Sequence, residues 1–570
     1  MERIIECVPN FSEGRNHETI EAIVNAIEKS GGVRILNVDP GEATNRTVVT
    51  FTGSPEAVVE AAFNGVRKAG ELIDMRLHHG AHPRSGATDV LPLVPVSGIT
   101  LEECAQLARQ LAKRIYDELG IPCYCYEAAA YKPERKNLAV CRAGEYEALP
   151  EKMRDPDKAP DFGPGEFTEK AAFSGATNVG ARDFLIAVNF NLNTTSTRRA
   201  NAVAFDVREK GRPKREGNPI TGKVVKDADG KTVMIPGTLK GCKAIGWYID
   251  EYGIAQVSMN ITDINATPLH KAFDEVCRAA QARGLRVTGT EIVGLIPKRC
   301  LVEAGKHYLA MQQRSAGIPE EEIIRIAVKS MGLDDLKPFD PKEKVIEYMM
   351  EDEAELALRE KLIRMTCKDF AYQTASESPA PGGGSVSAYM GALGAALGTM
   401  VANLSAHKPG WDDRWKEFSD QAEQGQAILK ELLSLVDEDT AAFNGIMAAF
   451  GLPKNTAEEA EERKNAIEKA TRYATEVPLR TIRAASKAFP LLRKMALEGN
   501  PNSVSDAGVG ALAARSAILG ANLNVRINAA GLLDRQYAKQ MTDEAAKMAE
   551  IAIKEEMEII NIVNDKINSL

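Results

Sequence analysis

Residues 285–306, LRVTGTEIVGLIPKRCLVEAGK, contain the last stretch of the chain with the pattern of a β-strand and the start of a continuous helical pattern. Leu285 to Val293 is rich in the β-branched residues that are typical of a strand. From Thr366 to Leu570 we find only long amphipathic stretches, separated by Pro and Gly. The sequence therefore predicts an α/β half followed by an all-helical bundle.

Before this stretch, strand and helix patterns alternate in two series. The first runs from a strand at Ile4 to Val8 to a strand at Ile121 to Tyr126, and ends near Pro150 to Pro164. The second begins with a strand at Phe184 to Leu192 and contains a basic, Gly-rich insertion at 208–241, which we expect to be an exposed hairpin. We predict two sandwich-like α+β subdomains at residues 1–180 and 181–318, a helical linker at 319–365 and a helical domain at 366–570.

The composition is that of a folded globular protein, with 44% hydrophobic and 26% charged residues in a chain of 570. A formal net charge of -9 argues against a general nucleic-acid binder, so we expect small-molecule partners. The nine cysteines are scattered from Cys7 to Cys367 and imply no disulfide framework. The N-terminal residues lack the pattern of a signal peptide, so we expect a cytoplasmic protein.

One uncharged run, Val386 to Leu404, is long enough to be considered as a membrane span. It consists mostly of Ala, Gly, Ser and Met and has no flanking basic anchors. Gly391, Gly394 and Gly398 would let a neighbouring helix approach closely. We therefore predict a buried bundle helix, and no membrane partner.

The densest polar group in the α/β half is the loop RLHHGAHPRSGATD at residues 76–89. It holds three of the seven histidines, His78, His79 and His82, and histidine can exchange a proton near neutral pH. Arg84 offers a fork suited to a carboxylate. Three interpretations stay open: an acid/base histidine, a metal site, or a structural polar loop. The glycines and proline disfavour the helical spacing that a metal-ligand pair would need.

Two other loops could contact a ligand. NVDPG at 37–41 and NRT at 45–47 place Asp39 at a strand end, where it could position a substrate, although Asp-Pro-Gly alone predicts a hairpin turn. FGPGEF at 162–167 and SGAT at 174–177 join the two series of strands. They are either a linker or part of a pocket for a flat aromatic ligand.

In the helical half, PAPGGGS at 379–385 leads directly into the Ala/Gly-rich helix. Its glycines would expose backbone N–H groups at a helix N-terminus, which favours an anion. The alternative is a simple turn capped by Ser385. Farther on, Asn524 and Asn528 lie four residues apart and could bind a polar heterocycle or pair with neighbouring helices.

The stretch from Leu429 to Met447 has an apolar face, and Asp439 lies on it. Asp437 and Glu438 are predicted to face the solvent. A carboxylate directed into a core needs a partner or a raised pKa, and both suit a catalytic acid or base. The alternative is a buried structural aspartate. The apolar face is defined by Leu429, Leu432, Val436, Phe443 and Ile446.

Together these motifs resemble the bifunctional formimidoyltransferase-cyclodeaminase family, over nearly the whole chain. The first motifs resemble the transferase half, and the glycine loop with LVDED at 435–439 resembles the cyclodeaminase half. The matching segments are VPNFSEGR at 8–15, the loop at 78–89, GAT at 175–177 with GAR at 180–182, EIVGL at 291–295, and PAPGGGS at 379–385.

The resemblance implies a two-step route in histidine breakdown, with tetrahydrofolate as acceptor and carrier of the one-carbon group. The first half would move a formimino group from N-formimino-L-glutamate to N5 of tetrahydrofolate, and the second would form 5,10-methenyltetrahydrofolate and ammonia. The family's transferase histidine matches His82, and its cyclodeaminase acid/base residue matches Asp439. Its folate-binding segment matches Gly163, Pro164, Gly165, Glu166, Phe167, Thr168, Glu169, Lys170, Ala171 and Ala172.

Further expectations follow from the resemblance. Asp39 and Arg84 would orient the glutamate moiety and the formimino nitrogens, no metal would be needed, and the chain would form a homo-oligomer through both halves. The loop that could hold the glutamate tail of folate consists of Gly382, Gly383, Gly384 and Ser385. Three rivals stay open: a methenyltetrahydrofolate cyclohydrolase in the helical half, a metal-dependent hydrolase built on the three histidines, and a binding scaffold with an inactive second half.

Overall fold

The computed structural model describes residues 3–41, 45–79, 84–217, 222–250, 252–350 and 360–569. They form two compact units. The first contains Met1–Cys300 and Met331–Met350, and the second contains Leu301–Ser330 and Glu351–Leu570. All the strands lie in the first unit, while the described part of the second is helical. The predicted order of an α/β half and a helical bundle is therefore confirmed. Residues 319–365, predicted as a linker, are shared between the two units.

The first sheet of the α/β unit has seven strands. From one edge, β3 pairs with β4, and β4 pairs with β1 and β2, which follow one another in the same position of the sheet. The order continues through β5 and β7 to β6, and the last two pairings are parallel. These strands are β1 (Ile4–Cys7), β2 (Asn10–Phe11), β3 (Val33–Gly41), β4 (Arg46–Gly53), β5 (Thr88–Ser97), β6 (Cys123–Glu127) and β7 (Thr177–Ala181).

Helices α1 (His17–Glu28), α2 (Pro55–Leu72) and α3 (Leu101–Leu119) pack their apolar sides on alternate strand residues such as Ile5, Phe51 and Leu93. The intervening strand residues, including Tyr124 and Tyr126, contribute to a second cluster that contains residues of the segment after β6. That segment contains the short helices α4 (Leu138–Cys141), α5 (Leu149–Lys152) and α6 (Glu169–Ser174). Because side chains alternate along a strand, the first sheet is covered on both faces around β5 and β6.

The second sheet is antiparallel, in the order β11, β12, β8 and β13, with helices α7 (Thr197–Val207) and α8 (Leu269–Gln281). The insertion at 208–241 forms a small antiparallel pair, extended by the bridges Arg215 to Val224 and Lys226 to Thr232, so the predicted hairpin is confirmed. The strands are β8 (Ile186–Leu192), β9 (Arg212–Pro213), β10 (Met234–Ile235), β11 (Cys242–Ile249), β12 (Ile254–Ile261) and β13 (Val287–Val293). The helices that follow are α9 (Lys298–Met311), α10 (Glu320–Met331), α11 (Pro341–Lys344) and α12 (Ile346–Met350).

The helical unit is organised around α14, which packs on α15, α16, α17 and α18. By length and composition α14 could cross a membrane, but 61% of its most apolar window is buried inside the bundle. Its glycines make the close contacts predicted for them: a Cβ added to Gly394 would lie 2.8 Å from the carbonyl oxygen of Gly510. These helices are α13 (Cys367–Thr374), α14 (Gly383–Ala406), α15 (Trp415–Phe450), α16 (Ala457–Ser486), α17 (Ala488–Glu498), α18 (Val504–Ala530) and α19 (Arg535–Asn568).

Candidate functional site

The predicted histidine loop connects α2 to β5, and residues 80–83 lie outside the described residues. His82 is among them, so its role stays a prediction. On either side of this gap the structure places His78, His79 and Arg84. Within the described ranges there is no group of three or more His, Cys, Asp or Glu side chains that could hold a metal ion.

His78 has a structural role in this loop. Its ring is buried, and Nε2 lies 2.9 Å from the backbone oxygen of Asn45, to which it must donate. Nδ1 accepts from Nε of Arg84 at 3.4 Å, so both ring nitrogens are occupied in one neutral tautomer. Burial lowers the pKa of His78, which favours the same neutral form. The ring of His79 is exposed.

Asn45 connects this loop to the VPNFSEGR motif. Its side-chain oxygen accepts from the backbone N–H of Gly14 at 3.0 Å, and its amide donates to the backbone oxygen of His79 at 3.0 Å. Gly14 leaves no room for a side chain, because an added Cβ would lie 2.4 Å from the backbone oxygen of Gly41. Sequence reasoning did not assign Asn45 to this site. Asn45 has a positive φ of 48°, a backbone conformation that Asn tolerates better than most residues. An asparagine beside a predicted turn was therefore the one signal in the sequence for this position.

Arg84 is buried, and its guanidinium is held by two carboxylates of the protein. Nη1 donates to Glu145 at 2.9 Å, and Nη2 donates to Glu147 at 2.6 Å. The hydrogen bond from Arg84 also lowers the pKa of Glu147. The fork predicted to orient a substrate is thus occupied by Glu145 and Glu147, neither of which the sequence had indicated.

Asp39 lies exposed on β3, opposite Val48 of β4. The predicted Asp-Pro-Gly turn is wrong, because β3 continues through these residues as far as Gly41, which pairs with Arg46. Pro40 is tolerated since β3 is the edge strand of the sheet and needs no donor on its outer side. The substrate-positioning role of Asp39 stays a prediction.

The end of the histidine loop is fixed by a buried ion pair and by two glycines. Asp89, fully buried at the start of β5, accepts from the backbone N–H of Ser85 at 2.9 Å and pairs with Arg142. Gly175 has φ of 67°, and an added Cβ would lie 2.3 Å from the backbone oxygen of Ser85 and 2.4 Å from Cα of Gly86. The SGAT motif therefore packs directly against the loop, a contact that only glycine permits.

The predicted folate-binding segment at 163–172 adjoins the same loop. The hydroxyl of Tyr146 donates to the backbone oxygen of Ala172 at 2.6 Å, and its ring packs edge-on against Phe167 at 6.3 Å between centroids. Tyr146 lies in the chain between the two carboxylates that hold Arg84. The structure thus brings this segment and the histidine loop into one region, while the binding of folate there stays a prediction.

A cavity of about 860 Å³ lies in the α/β unit, at the carboxyl ends of the parallel strands β6 and β7. Its lining includes the cations Lys136, Arg182 and Lys243 and the acids Glu127 and Asp183. None of these five forms an ion pair with another described residue, and the one side-chain hydrogen bond of Arg182 goes to the backbone oxygen of Asp183. Burial raises the pKa of both acids. Carboxyl ends of parallel strands commonly bind ligands, so this cavity is a candidate substrate site.

In the helical unit, Asp439 contacts the first turn of α14. Its Oδ2 accepts from the hydroxyl of Ser385 at 3.1 Å, and its carboxylate also accepts the backbone N–H of Ser385. Burial raises the pKa of Asp439, and the hydrogen bonds from Ser385 reduce this effect only in part. An aspartate in this setting combines a fixed position with a raised pKa, as an acid/base group requires.

The predicted cap by Ser385 is wrong. Gly382 is the N-cap of α14. Ser385 lies inside the helix and is fully buried, and its hydroxyl donates to Asp439 instead of capping the helix. Gly384 leaves the space for that carboxylate, since an added Cβ would lie 2.0 Å from Oδ1 of Asp439. In this structure the anion at the glycine-rich N-terminus is therefore Asp439, and the binding of a folate tail there stays a prediction.

The prediction that Asp437 and Glu438 face the solvent is wrong. Asp437 accepts the backbone N–H groups of Leu362 at 2.7 Å and Ile363 at 3.1 Å. Glu438 accepts from the hydroxyl of Tyr473 and from Arg480, both at 2.5 Å. The chain before α13 and helix α16 cover these sides of α15, and a helical pattern within α15 does not predict either neighbour.

A second cavity, of about 1290 Å³, lies beside these residues in the helical unit. Its walls include residues 360–363, residues 378–381, Tyr473 and the side of α15 that carries Thr440. Asp437 fixes the first of these walls through its two backbone contacts. Glu438 and Thr440, the residues on either side of Asp439 in the chain, both line this cavity. It is the candidate ligand site of this unit.

The two asparagines of α18 behave differently. The amide of Asn528 donates to the backbone oxygen of Ala474 at 2.6 Å. Of the two alternatives that the sequence allowed, this residue therefore pairs with a neighbouring helix. Asn524 donates to Gly520 of its own helix at 2.9 Å. A Cβ added to Gly383 would lie 3.3 Å from the amide of Asn524, so that side chain adjoins the glycine-rich turn.

Comparison with known families gives three matches along the chain. Residues 4–182 match the formiminotransferase domain, N-terminal subdomain, and residues 187–351 match the formiminotransferase domain. Residues 366–547 match the family described as formiminotransferase-cyclodeaminase.

Three relatives cover different parts of the chain. Formimidoyltransferase-cyclodeaminase of Rattus norvegicus is 41% identical over 547 residues, which are 96% of this chain and 94% of the relative. Glutamate formimidoyltransferase of Streptococcus pyogenes serotype M1 is 39% identical and covers 55% of this chain and 95% of the relative. Methenyltetrahydrofolate cyclohydrolase of Methylorubrum extorquens is 36% identical and covers 36% of this chain and 98% of the relative.

The contact between Gly384 and Asp439 predicts a large effect of one methyl group. We expect Gly384→Ala to lower the free energy of unfolding of the helical unit by about 1–3 kcal/mol, the usual cost of overpacking, because the new Cβ displaces a partly buried carboxylate. The measurement is denaturant unfolding followed by circular dichroism. Gly445→Ala on α15 is the matched control, since its Cβ would meet nothing within 4 Å and should be neutral or stabilising by up to about 1 kcal/mol. Equal effects of the two substitutions would contradict the packing argument.

Proposed function

The chain belongs to the formimidoyltransferase-cyclodeaminase family, and we propose that each half of this bifunctional enzyme catalyses one of two consecutive steps. The α/β unit transfers the formimino group from N-formimino-L-glutamate to N5 of tetrahydrofolate and releases glutamate. The helical unit closes the ring to 5,10-methenyltetrahydrofolate and releases ammonia. The observation that carries the proposal is the order of the family matches, with transferase models over 4–182 and 187–351 and the cyclodeaminase model over 366–547.

In the transfer step, His82 accepts the proton of N5 as that nitrogen attacks the formimino carbon. The contacts of the neighbouring histidine support this assignment. Both ring nitrogens of His78 are already hydrogen-bonded to the protein, so that ring is not free to take a substrate proton. The loop carrying His82 is anchored before the gap by Asn45 and after it by Asp89.

The donor brings two carboxylates and a formimino group that is cationic when protonated. The cavity of the α/β unit offers groups of both signs, and Lys136, Arg182 and Lys243 are free of ion pairs among the described residues. Arg182 is the one able to form a bidentate pair with a carboxylate. Arg84 is held by Glu145 and Glu147, so we assign it to shaping the loop and assign carboxylate binding to Arg182.

In the cyclisation step, Asp439 takes the proton from N10 as it attacks the formimino carbon and returns it to the departing ammonia. Burial supports this role, because it raises the pKa of Asp439 toward the range in which a carboxyl group can both accept and donate a proton. The Gly384 and Ser385 contacts hold the carboxylate in place.

A methenyltetrahydrofolate cyclohydrolase activity is the second candidate for the helical half. The similarity to the Methylorubrum extorquens cyclohydrolase over 98% of that relative favours it. The two activities differ in what is released, since only the cyclodeaminase produces ammonia from 5-formiminotetrahydrofolate. Incubation with N-formimino-L-glutamate and tetrahydrofolate, with the absorbance of methenyltetrahydrofolate and ammonia followed together, distinguishes them.

The setting that we propose is the cytoplasm, in a homo-oligomer that uses both halves for assembly. Tetrahydrofolate carries the one-carbon group in both steps, so the proposal needs no metal ion. The partners are then small molecules, namely formiminoglutamate and folates, rather than nucleic acid or membrane. The acidic balance of the chain, with a net charge of -9, is consistent with small-molecule partners.

His82→Ala should abolish formimino transfer and leave the cyclisation of supplied 5-formiminotetrahydrofolate unchanged, because the two sites lie in separate folded units. A lost general base typically costs about 10²–10⁴-fold in rate. The measurement is the rate of each half-reaction with purified enzyme. His79→Ala is the matched control, since its exposed ring should be dispensable. Transfer that survives in His82→Ala and fails in His79→Ala would move the role to His79.

Arg182→Gln should raise KM for formiminoglutamate by about 10–100-fold, because a charge-assisted hydrogen bond to a carboxylate contributes about 1.5–3 kcal/mol. KM for tetrahydrofolate and the cyclisation rate should change little. The measurement is steady-state kinetics with each substrate varied in turn. Arg198→Gln removes an exposed arginine of α7 outside the cavity and should behave like the wild type. An unchanged donor KM in Arg182→Gln would place the donor elsewhere.

A further inference from the structure

The helical unit presents a geometric problem for the proposed acid/base group. The described residues that line the 1290 Å³ cavity include Thr440 and its neighbours Asp437 and Glu438, but neither Asp439 nor Ser385. The carboxylate of Asp439 is directed instead at the first turn of α14. Thr440 therefore lines the cavity, whereas Asp439 does not.

Two hydroxyl groups bridge this separation. Oγ1 of Thr440 lies 3.1 Å from Oγ of Ser385, and Oγ of Ser385 lies 3.1 Å from Oδ2 of Asp439. Both are hydrogen-bond distances, so a continuous chain of hydrogen bonds runs from the cavity wall to the carboxylate. Ser385 is fully buried, and water does not compete for its hydroxyl.

The chemistry of the groups sets the direction of this chain. A serine hydroxyl has one proton to donate, and Ser385 gives it to the carboxylate, which as an anion can only accept. Ser385 therefore accepts from Thr440. Because Thr440 acts there as a donor, the lone pairs of its oxygen can accept a proton from a group in the cavity.

Thr440 also differs from other threonines inside the helices of this bundle. Thr399, Thr471 and Thr475 each donate to the backbone carbonyl four residues earlier in their own helix. That bond is the usual partner of a threonine within a helix. Thr440 instead has Ser385 as its side-chain partner, on a different helix.

We propose that Thr440 and Ser385 form a proton relay between the folate nitrogens and Asp439, an inference that rests on the proposed cyclodeaminase function. As N10 bonds to the formimino carbon, its proton passes to Thr440, the proton of Thr440 passes to Ser385, and that of Ser385 passes to Asp439. The same chain then runs in reverse and protonates the amino nitrogen on that carbon. The carbon–nitrogen bond breaks, ammonia leaves with the electron pair, and Asp439 is again a carboxylate.

The relay is tested by variants that break or keep each hydroxyl. Ser385→Ala and Thr440→Val remove a link, Thr440→Ser keeps it, and Asp439→Asn removes the terminal group. Ser486→Ala is the control, because its hydroxyl donates to Ile482 within its own helix and lies outside the cavity. Each full-length variant is given 5-formiminotetrahydrofolate, and methenyltetrahydrofolate and ammonia are measured in H₂O, in D₂O and in their mixtures.

We expect Ser385→Ala and Thr440→Val to lose about 10²-fold or more in cyclisation rate with little change in KM, because the proton path is cut while the cavity remains. Thr440→Ser and Ser486→Ala should stay near the wild type. In the wild type, the rate should fall non-linearly with the deuterium fraction, as for several protons moving together. If the two hydroxyls had only a structural role, Ser385→Ala and Thr440→Val would keep the non-linear dependence of the rate on the deuterium fraction that the wild type shows.

The outcomes separate the relay from the function on which it rests. If Asp439→Asn is inactive while Ser385→Ala and Thr440→Val are active, the relay is wrong and the proposed function stands. If Ser385→Ala alone is inactive, Ser385 only positions Asp439 and the relay is again wrong. If Asp439→Asn remains active, the acid/base assignment itself fails and takes the relay with it. Loss in both link variants, with rescue in Thr440→Ser, supports the relay.

Discussion

A charged group that is wholly or largely withdrawn from water must be paired or hydrogen-bonded, and this constraint shapes both candidate sites of the protein. In the helical unit it brings Asp439 against the first turn of α14, where Ser385 supplies the hydrogen bonds and Gly384 supplies the space. In the α/β unit it joins Asp89 to Arg142 beneath the histidine loop. Residues near the reacting groups thus gain fixed positions from contacts that also satisfy buried charge.

The same constraint distinguishes charged residues that are paired within the protein, and so support a site, from those that can still pair with a ligand. Arg84 is surrounded by carboxylates of the protein and acts as part of the frame. Among the described residues, Arg182 and Lys243 form no close ion pair, although both partly offset the rise that burial causes in the pKa of the neighbouring Glu127 and both line a cavity at the ends of parallel strands. The carboxylates of a substrate can form with these two side chains the ion pairs that no described residue of the protein forms. Thr440 is the equivalent residue of the helical unit, since its hydroxyl is hydrogen-bonded to Ser385 and the residue lines the second cavity.

Local patterns in the sequence predicted the two fold classes and the inward position of Asp439, because helical periodicity is a property of one segment. They failed where distant segments decide the outcome. Asp437 is covered by backbone that lies 75 positions away in the chain, and the hydroxyl of Ser385 turns toward a carboxylate 54 positions away. The turn predicted at Asp39 is instead strand, because an edge position tolerates Pro40. The charges of the first cavity come from separate segments, so the GAR motif at 180–182 could not show that Arg182 lines a cavity together with Lys136 and Lys243.

Burial against α14 turns Asp439 into a group able to accept and return a proton. Isotope-edited infrared spectroscopy tests it most directly, by following the carboxyl band of labelled aspartate that is present in the wild type and absent in Asp439→Asn as the pH is varied. We expect this carboxyl to titrate at a pH clearly above that of an exposed aspartate, since desolvation raises the pKa of Asp439 more than the hydrogen bonds from Ser385 lower it. Titration at or below the pH of an exposed aspartate would contradict it.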